Sequence, residues 1–333
     1  MLAETLTWPD QQVKDSTGAA KCRLGASGTS RQLRGLDESA RTPYPGGMTV
    51  CIGALCANRS GQPARAAVVA SDRMVTLGAL TEFEHDVPKI RPVSDRVLAL
   101  TAGDALRGAQ LIEDVAGRLP AGGVSVDSVA QETVKSYVER RRQQIEVALF
   151  TPRGFTMEAF YNIYQNRLLP QLAGMLDQQA ASFDFNVDAL IAGVDDAGAH
   201  VYVVRNPGAL SNYAPIGYAA IGSGSLHAMQ SMIGFRHTAA RELYETVFSV
   251  YASKRRAEVA PGVGQYTDMA VVTEDRVTYL ARDVLDHLAQ LYEEHERPVS
   301  EDLRDRIRAL KLFLEETSSD SSAESSMGGG TEG

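Results

Sequence analysis

Strand-length apolar runs occur in pairs along this chain, with stretches of helical period between the pairs. That order constrains the fold more than any single residue does. Thr49-Val50-Cys51-Ile52-Gly53-Ala54-Leu55-Cys56 and the run over 66–71 are joined by the turn-rich Asn58-Arg59-Ser60-Gly61-Gln62-Pro63, the pattern of a hairpin. Val97-Leu98-Ala99-Leu100-Thr101-Ala102 reads as a third strand, stopped at Gly103-Asp104. Leu106, Ala109, Ile112, Val115 and Leu119 then recur at helical spacing. Ser125 or Asp127 can cap a second helix carrying Val134, Val138, Ile145 and Leu149. A third has Phe160, Tyr164, Leu168, Leu172 and Leu176 four apart, with a kink or break expected at Pro170.

Strands resume with Val187-Asp188-Ala189-Leu190-Ile191-Ala192-Gly193 and His200-Val201-Tyr202-Val203-Val204, a second hairpin turning at Asp195-Asp196-Ala197-Gly198. Ala219-Ala220-Ile221-Gly222 is a further strand. Helices are expected across 225–235 and 238–256, and Met269-Ala270-Val271-Val272-Thr273 closes the strand pattern. Blocks in this order suit antiparallel hairpins with segregated helices, an α+β layered domain rather than a βαβ wind.

Both ends differ from this middle. Residues 1–48 mix Ser, Thr, Gly, Arg and Gln without a period and finish on Pro43-Tyr44-Pro45-Gly46-Gly47-Met48. A segment of that kind does not repay its ordering entropy by burial. Three readings stand: a removed propeptide, a start codon placed too early, or a disordered arm. The folded domain is expected over 49–283. A helical appendage over 284–316 follows, with Leu303, Ile307, Leu310 and Leu314 on one face, and then a low-complexity tail over 317–333.

A net charge of −9 argues against a nucleic-acid partner, which requires clustered Lys and Arg in excess. The basic run Arg140-Arg141-Arg142 sits in a Glu- and Gln-rich helical stretch and reads as a solvated face. Cys22, Cys51 and Cys56 are odd in number and without CxxC spacing, so they suggest neither a disulfide frame nor a zinc site. No apolar run has the length of a membrane span, and Met1-Leu2-Ala3-Glu4-Thr5 lacks the basic start of a signal peptide. The expectation is a soluble, cytoplasmic protein that needs no cofactor or metal.

Three places carry candidate chemistry. Were the mature chain to begin at Thr49, one residue would hold a hydroxyl and a free α-amine, a nucleophile with its own base. In Ala70-Ser71-Asp72-Arg73-Met74-Val75-Thr76 an apolar strand meets charge at Asp72, and in Val87-Pro88-Lys89-Ile90 a lysine lies between apolar neighbours. Each also has an ordinary reading: a β-branched strand opener, a turn residue and an edge-strand lysine. Cys51 reads as a small buried side chain rather than a nucleophile.

Taken together, these stretches resemble proteasome-type N-terminal-nucleophile hydrolases, such as proteasome β subunits and their bacterial relatives. The likeness also runs through Thr101-Ala102-Gly103-Asp104-Ala105, Leu190-Ile191-Ala192-Gly193-Val194-Asp195, Ala220-Ile221-Gly222-Ser223-Gly224-Ser225 and Thr267-Asp268-Met269-Ala270-Val271-Val272, in the family's order over about 49–275. The resemblance implies a four-layer αββα sandwich and a threonine-type peptidase. Thr49 would be the nucleophile, Lys89 the cation beside it, Asp72 the group that holds Lys89, Gly103 N–H the oxyanion donor and Ser223 the hydroxyl at the threonine amine.

One stretch departs from the family. Where it has an Asp and then Ser-Gly, this chain reads Ala257-Glu258-Val259-Ala260-Pro261-Gly262, with Glu258 a candidate replacement for the Asp. The region 138–182 also looks longer than the family's helical pair. The resemblance implies peptide or unfolded-protein substrates, a homo-oligomeric ring and an ATPase or cap as partner. A non-catalytic ring subunit and a small-molecule amidase or acylase are the alternatives.

Overall fold

A computed structural model of the chain describes residues 49–58, 63–77, 81–85, 88–120 and 122–296. The expected leader, the stretch from Leu303 to Leu314 and the tail over 317–333 lie outside the described residues. In chain order the strands are β1 (Cys51–Ala57), β2 (Ala64–Asp72), β3 (Met74–Leu77), β4 (Thr81–Glu84), β5 (Ile90–Ser94), β6 (Val97–Gly103), β7 (Val187–Asp195), β8 (Gly198–Arg205), β9 (Ala209–Asn212), β10 (Tyr218–Ile221), β11 (Thr267–Thr273) and β12 (Val277–Tyr279). The helices are α1 (Ala105–Arg118), α2 (Val126–Ile145), α3 (Met157–Ala159), α4 (Pro170–Ala181), α5 (Ser225–Gly234), α6 (Leu243–Ala257) and α7 (Arg282–His295). This is a mixed α+β protein whose sheets are antiparallel.

Two five-stranded sheets run β10-β1-β2-β11-β12 and β5-β6-β7-β8-β9, with β3-β4 a separate hairpin. Their apolar runs are continuous because both faces of the central strands are covered. Successive residues of a strand point to opposite faces. On one face of the first sheet, Cys51, Leu55, Ala67 and Val69 pack with Leu98, Leu100, Leu190 and Val201 of the second. The alternate residues Val50, Ile52, Ala54 and Val68 pack with Ala228, Met232 and Val250 of α5 and α6 and Leu288 of α7. The far face of the second sheet packs Val97, Ala99, Ala189 and Ile191 against Leu111, Val115, Val129 and Tyr137 of α1 and α2. Each fully buried Val, Leu, Ile or Met among them contributes about 1.5–3 kcal/mol. Gly53 lies where the sheets touch: a Cβ there would sit 2.9 Å from a Leu190 methyl.

The helix starts follow local chemistry. Asp104 accepts from the N–H groups of Leu106 and Arg107 to cap α1, and Ser125 rather than Asp127 caps α2 through Ser128 N–H. Of the kink or break expected at Pro170, the structure has a break. Helix α3 passes into a π-helical turn over Phe160–Tyr164, and α4 opens on Pro170 at its first position, where a missing N–H costs nothing. Residues of the long 138–182 region form a core of their own, with Ile145, Phe150, Phe160, Leu176 and Ala180 buried together. Similarly, the helix expected from 238 begins only at Leu243, after Arg236 turns the chain with φ +51°.

His237, in that link, is buried; its Nε2 lies 3.0 Å from the Leu55 carbonyl, while Nδ1 has no partner among the described residues. Burial, and to a lesser degree Arg241, hold its pKa below the ordinary imidazole value, against the Leu55 contact, which raises it. The unfolded chain therefore binds a proton at a pH where the folded one does not. Stability is expected to fall as pH drops below the ordinary value of about 6.5, and to level off below the folded-state value. Thermal unfolding between about pH 7.5 and 5.5 checks this: the slope should flatten in His237→Gln.

Candidate active site

The antiparallel register of β1 and β2 sets Cys51 opposite Ser71, which brings Asp72 beside the residues just ahead of β1. The Asp72 carboxylate is fully buried. Oδ1 accepts from Val50 N–H at 3.1 Å, from Lys89 Nζ at 2.9 Å and from the Thr49 hydroxyl. Oδ2 accepts from Met74 N–H at 3.1 Å and from Gly264 N–H at 2.9 Å. A buried carboxylate is tolerated only when its lone pairs are used in this way. Arg73, next in sequence, grips Asp268 of β11 through two hydrogen bonds of 2.9 and 2.6 Å, which ties down the strand end.

Lys89 immediately precedes β5 and so reaches Thr49 from the second sheet. Its Nζ donates to Thr49 Oγ1 as well as to Asp72 Oδ1, and its side chain is only 14% exposed. A cation held there favours the deprotonated threonine oxygen. Thr49 is itself buried in the intact chain, with 2% of its surface exposed.

Ser223 lies on the other side of Thr49. Its Oγ accepts from Thr49 N at 3.1 Å and is within donating distance of Pro261 O (3.0 Å) and Thr49 O (3.3 Å). Its one hydroxyl proton serves one of these carbonyls at a time. Gly222, with φ +89°, is required here: a Cβ would lie 2.3 Å from the Thr49 carbonyl oxygen. Gly224 N–H then donates to that oxygen at 3.1 Å.

Gly103 ends β6, with φ +108° and space for no side chain, since a Cβ would meet Asn186 O at 2.1 Å. Two residues earlier, the Thr101 carbonyl lies 3.6 Å from Cys51 Sγ, so the end of β6 faces the start of β1. Burial pushes the Cys51 thiol up to about 12, so it stays protonated and unreactive at neutral pH.

Four of the six candidates named from sequence, Thr49, Asp72, Lys89 and Ser223, are thus joined by hydrogen bonds, and Gly103 ends β6 two residues beyond the Thr101 carbonyl that faces Cys51. Glu258 goes elsewhere. It lies one turn beyond Lys254 on α6, and its Oε1 accepts from that buried ammonium at 2.7 Å. The expectation that it joins the groups around the threonine nitrogen is corrected: the neighbour of Ser223 there is the Pro261 carbonyl. Sequence reading had not singled out Gly222, Gly264 or Lys254. The one visible signal was Gly222 within Gly-Ser-Gly directly after a strand.

A hollow of about 880 Å³ between α6 and α7, lined by Phe248, Leu280 and Leu288, contains none of these residues. Among the described residues no group of three or more His, Cys, Asp or Glu is disposed to hold a metal ion, and no helix is long and apolar enough to cross a membrane. In comparisons with known proteins, no family model matches the chain and no curated protein matches it at a significant level.

Proposed function

We propose that the chain is an N-terminal-threonine amide hydrolase, a proteasome-like, self-compartmentalising peptidase built as a four-layer αββα sandwich. One observation carries this reading. A single ammonium, Lys89 Nζ, is bonded at once to the Thr49 hydroxyl and to the buried Asp72 carboxylate, while Thr49 N rests on Ser223 Oγ. A strand-opening threonine with only a structural role needs none of these partners.

In the intact chain Thr49 N is a peptide nitrogen, so the mechanism begins only once residues through Met48 are removed. The freed α-amine, with an ordinary pKa of about 7.7–8.0, then accepts the hydroxyl proton as Oγ1 attacks the substrate carbonyl carbon. Lys89 stabilises the developing negative charge on Oγ1, and Asp72 keeps Lys89 aimed. The tetrahedral oxyanion falls to the Gly103 N–H, a contact of a type worth roughly 10²–10³ in rate. Collapse breaks the C–N bond, and the leaving amine takes the proton back from the α-ammonium. Water then cleaves the threonyl ester by the same steps and regenerates the hydroxyl.

The substrates on this reading are peptides or unfolded chains. The particle is a cytoplasmic homo-oligomeric ring fed by an ATPase or cap, and ring closure follows from a heterologous interface of suitable rotation. Intact-mass measurement before and after treatment with a β-lactone tests the proposal. The expected result is a chain starting at Thr49 that gains one adduct on that residue. Active, pure protein that still carries residues ahead of Thr49 would overturn it. Native mass separates the two hydrolase readings, a double ring favouring the peptidase and a free dimer the small-molecule amidase.

A further inference from the structure

Lys254 has no role in the mechanism above, yet it is fully buried, a rare position for a lysine unless something demands it. Its Nζ donates to Glu258 Oε1 at 2.7 Å, to the Gly264 carbonyl at 2.8 Å and to the Gln265 carbonyl at 2.9 Å. All three proton positions of the ammonium are used. The two carbonyls belong to the segment that follows α6, and that segment touches the candidate site twice. At Pro261 its carbonyl is within hydrogen-bond reach of Ser223 Oγ, and at Gly264 its N–H donates to Asp72 Oδ2.

We infer that Lys254 is a positioning residue of the Thr49 site, its ammonium clamping the 259–265 segment so that the Gly264 N–H and the Pro261 carbonyl meet Asp72 and Ser223. This rests on the hydrolase reading. Glu258 serves the clamp by neutralising the ammonium. Burial draws the Lys254 pKa down, and Glu258 is the main influence raising it again. Apart from this clamp the segment is held by Ala260 and Val263, buried in the core with residues of α5 and α6, and by Tyr266 just beyond it, whose N–H donates to Glu84 Oε1. Its sequence, Val259-Ala260-Pro261-Gly262-Val263-Gly264, has no side chain able to hold Asp72 or Ser223 directly. Apolar packing holds its Ala260 and Val263 side chains, and the buried ammonium fixes the direction of the Gly264 and Gln265 carbonyls.

The test is the double variant Lys254→Met with Glu258→Leu, which replaces the pair by apolar side chains of similar volume, a change that often leaves stability unaltered. With a peptide substrate, kcat is expected to fall about 10²-fold while KM stays within about twofold, because a displacement of an ångström at the reacting groups costs that much. Gly264→Ala is the second variant, needed should the double one not fold. It keeps Lys254 and moves the same N–H, since its Cβ would press on Met74 N at 3.1 Å and Met74 Cβ at 3.2 Å, atoms that cannot swing aside as the Glu84 carboxylate can. It should show the same loss confined to kcat. A folded double variant, or a Gly264→Ala chain, with parental kcat overturns the inference. Activity that survives Thr49→Ala would instead overturn the hydrolase reading, so the two failures are distinguishable.

Discussion

A Thr49→Ala chain is expected to lose peptide-hydrolysing activity by at least about 10³-fold, the scale on which loss of a nucleophile registers. Thr49→Ser is expected to retain measurable activity. The hydroxyl accepts from Lys89 and donates to Asp72, and serine presents the same oxygen without the methyl group. The alanine variant should fold: its removed atoms are few, and Asp72 keeps Lys89 and three backbone N–H donors. Turnover with a fluorogenic peptide, alongside a thermal melt, separates lost chemistry from lost structure. A well-folded Thr49→Ala protein that hydrolyses at the parental rate would remove the threonine from the reaction.

Asp72→Ala is expected to be the most destabilising single change at the site, by about 3–5 kcal/mol. That is large against a typical domain stability of about 5–15 kcal/mol. The reason is the accounting of donors. Removing the carboxylate orphans the N–H groups of Val50, Met74 and Gly264 in the interior and leaves the Lys89 ammonium without its counter-charge. Lys89→Met should cost much less stability, because Asp72 retains its backbone donors, while activity falls as far as in the aspartate variant. Denaturant unfolding of both proteins measures the difference. Equal stabilities would mean that the three backbone donors to Asp72 add nothing beyond its pair with Lys89.

Much of the layered architecture was legible in the residues alone. The β1–β2 and β7–β8 hairpins appear as apolar runs bracketing turn residues, and α1 and α2 appear through their period, α2 with Ser125 and Asp127 as the two possible caps. The strands missed were β3, β4, β5, β9 and β12, all of five residues or fewer. Where their burial is described they are mixed: β9 reads Ala209-Leu210-Ser211-Asn212 and is mostly exposed at a sheet edge. An edge strand has one partner and little burial, so it imposes no clean alternation on its sequence. The Pro170 break was visible as a break, but whether proline kinks a helix or opens one depends on the packing of residues on either side.

The candidate site divides along the same line. Local sequence determined the residue types: a threonine opening a strand, an acid closing its hairpin partner, a glycine ending β6, a serine between two glycines after β10. Their spacing within one hairpin was enough to set Asp72 beside Thr49, because antiparallel register is a local property. Lys89 reaches the same point from the other sheet, which only the stacking of the two sheets decides, whereas Ser223 follows β10 and Pro261 and Gly264 precede β11, strands far along the chain that pair with β1 and β2 within the first sheet. Glu258 shows the converse. Its position in the sequence pointed to Thr49, but helical geometry set it one turn from Lys254, and a buried ammonium takes the nearest carboxylate because leaving either charge unpaired inside the fold costs more than any alternative contact returns.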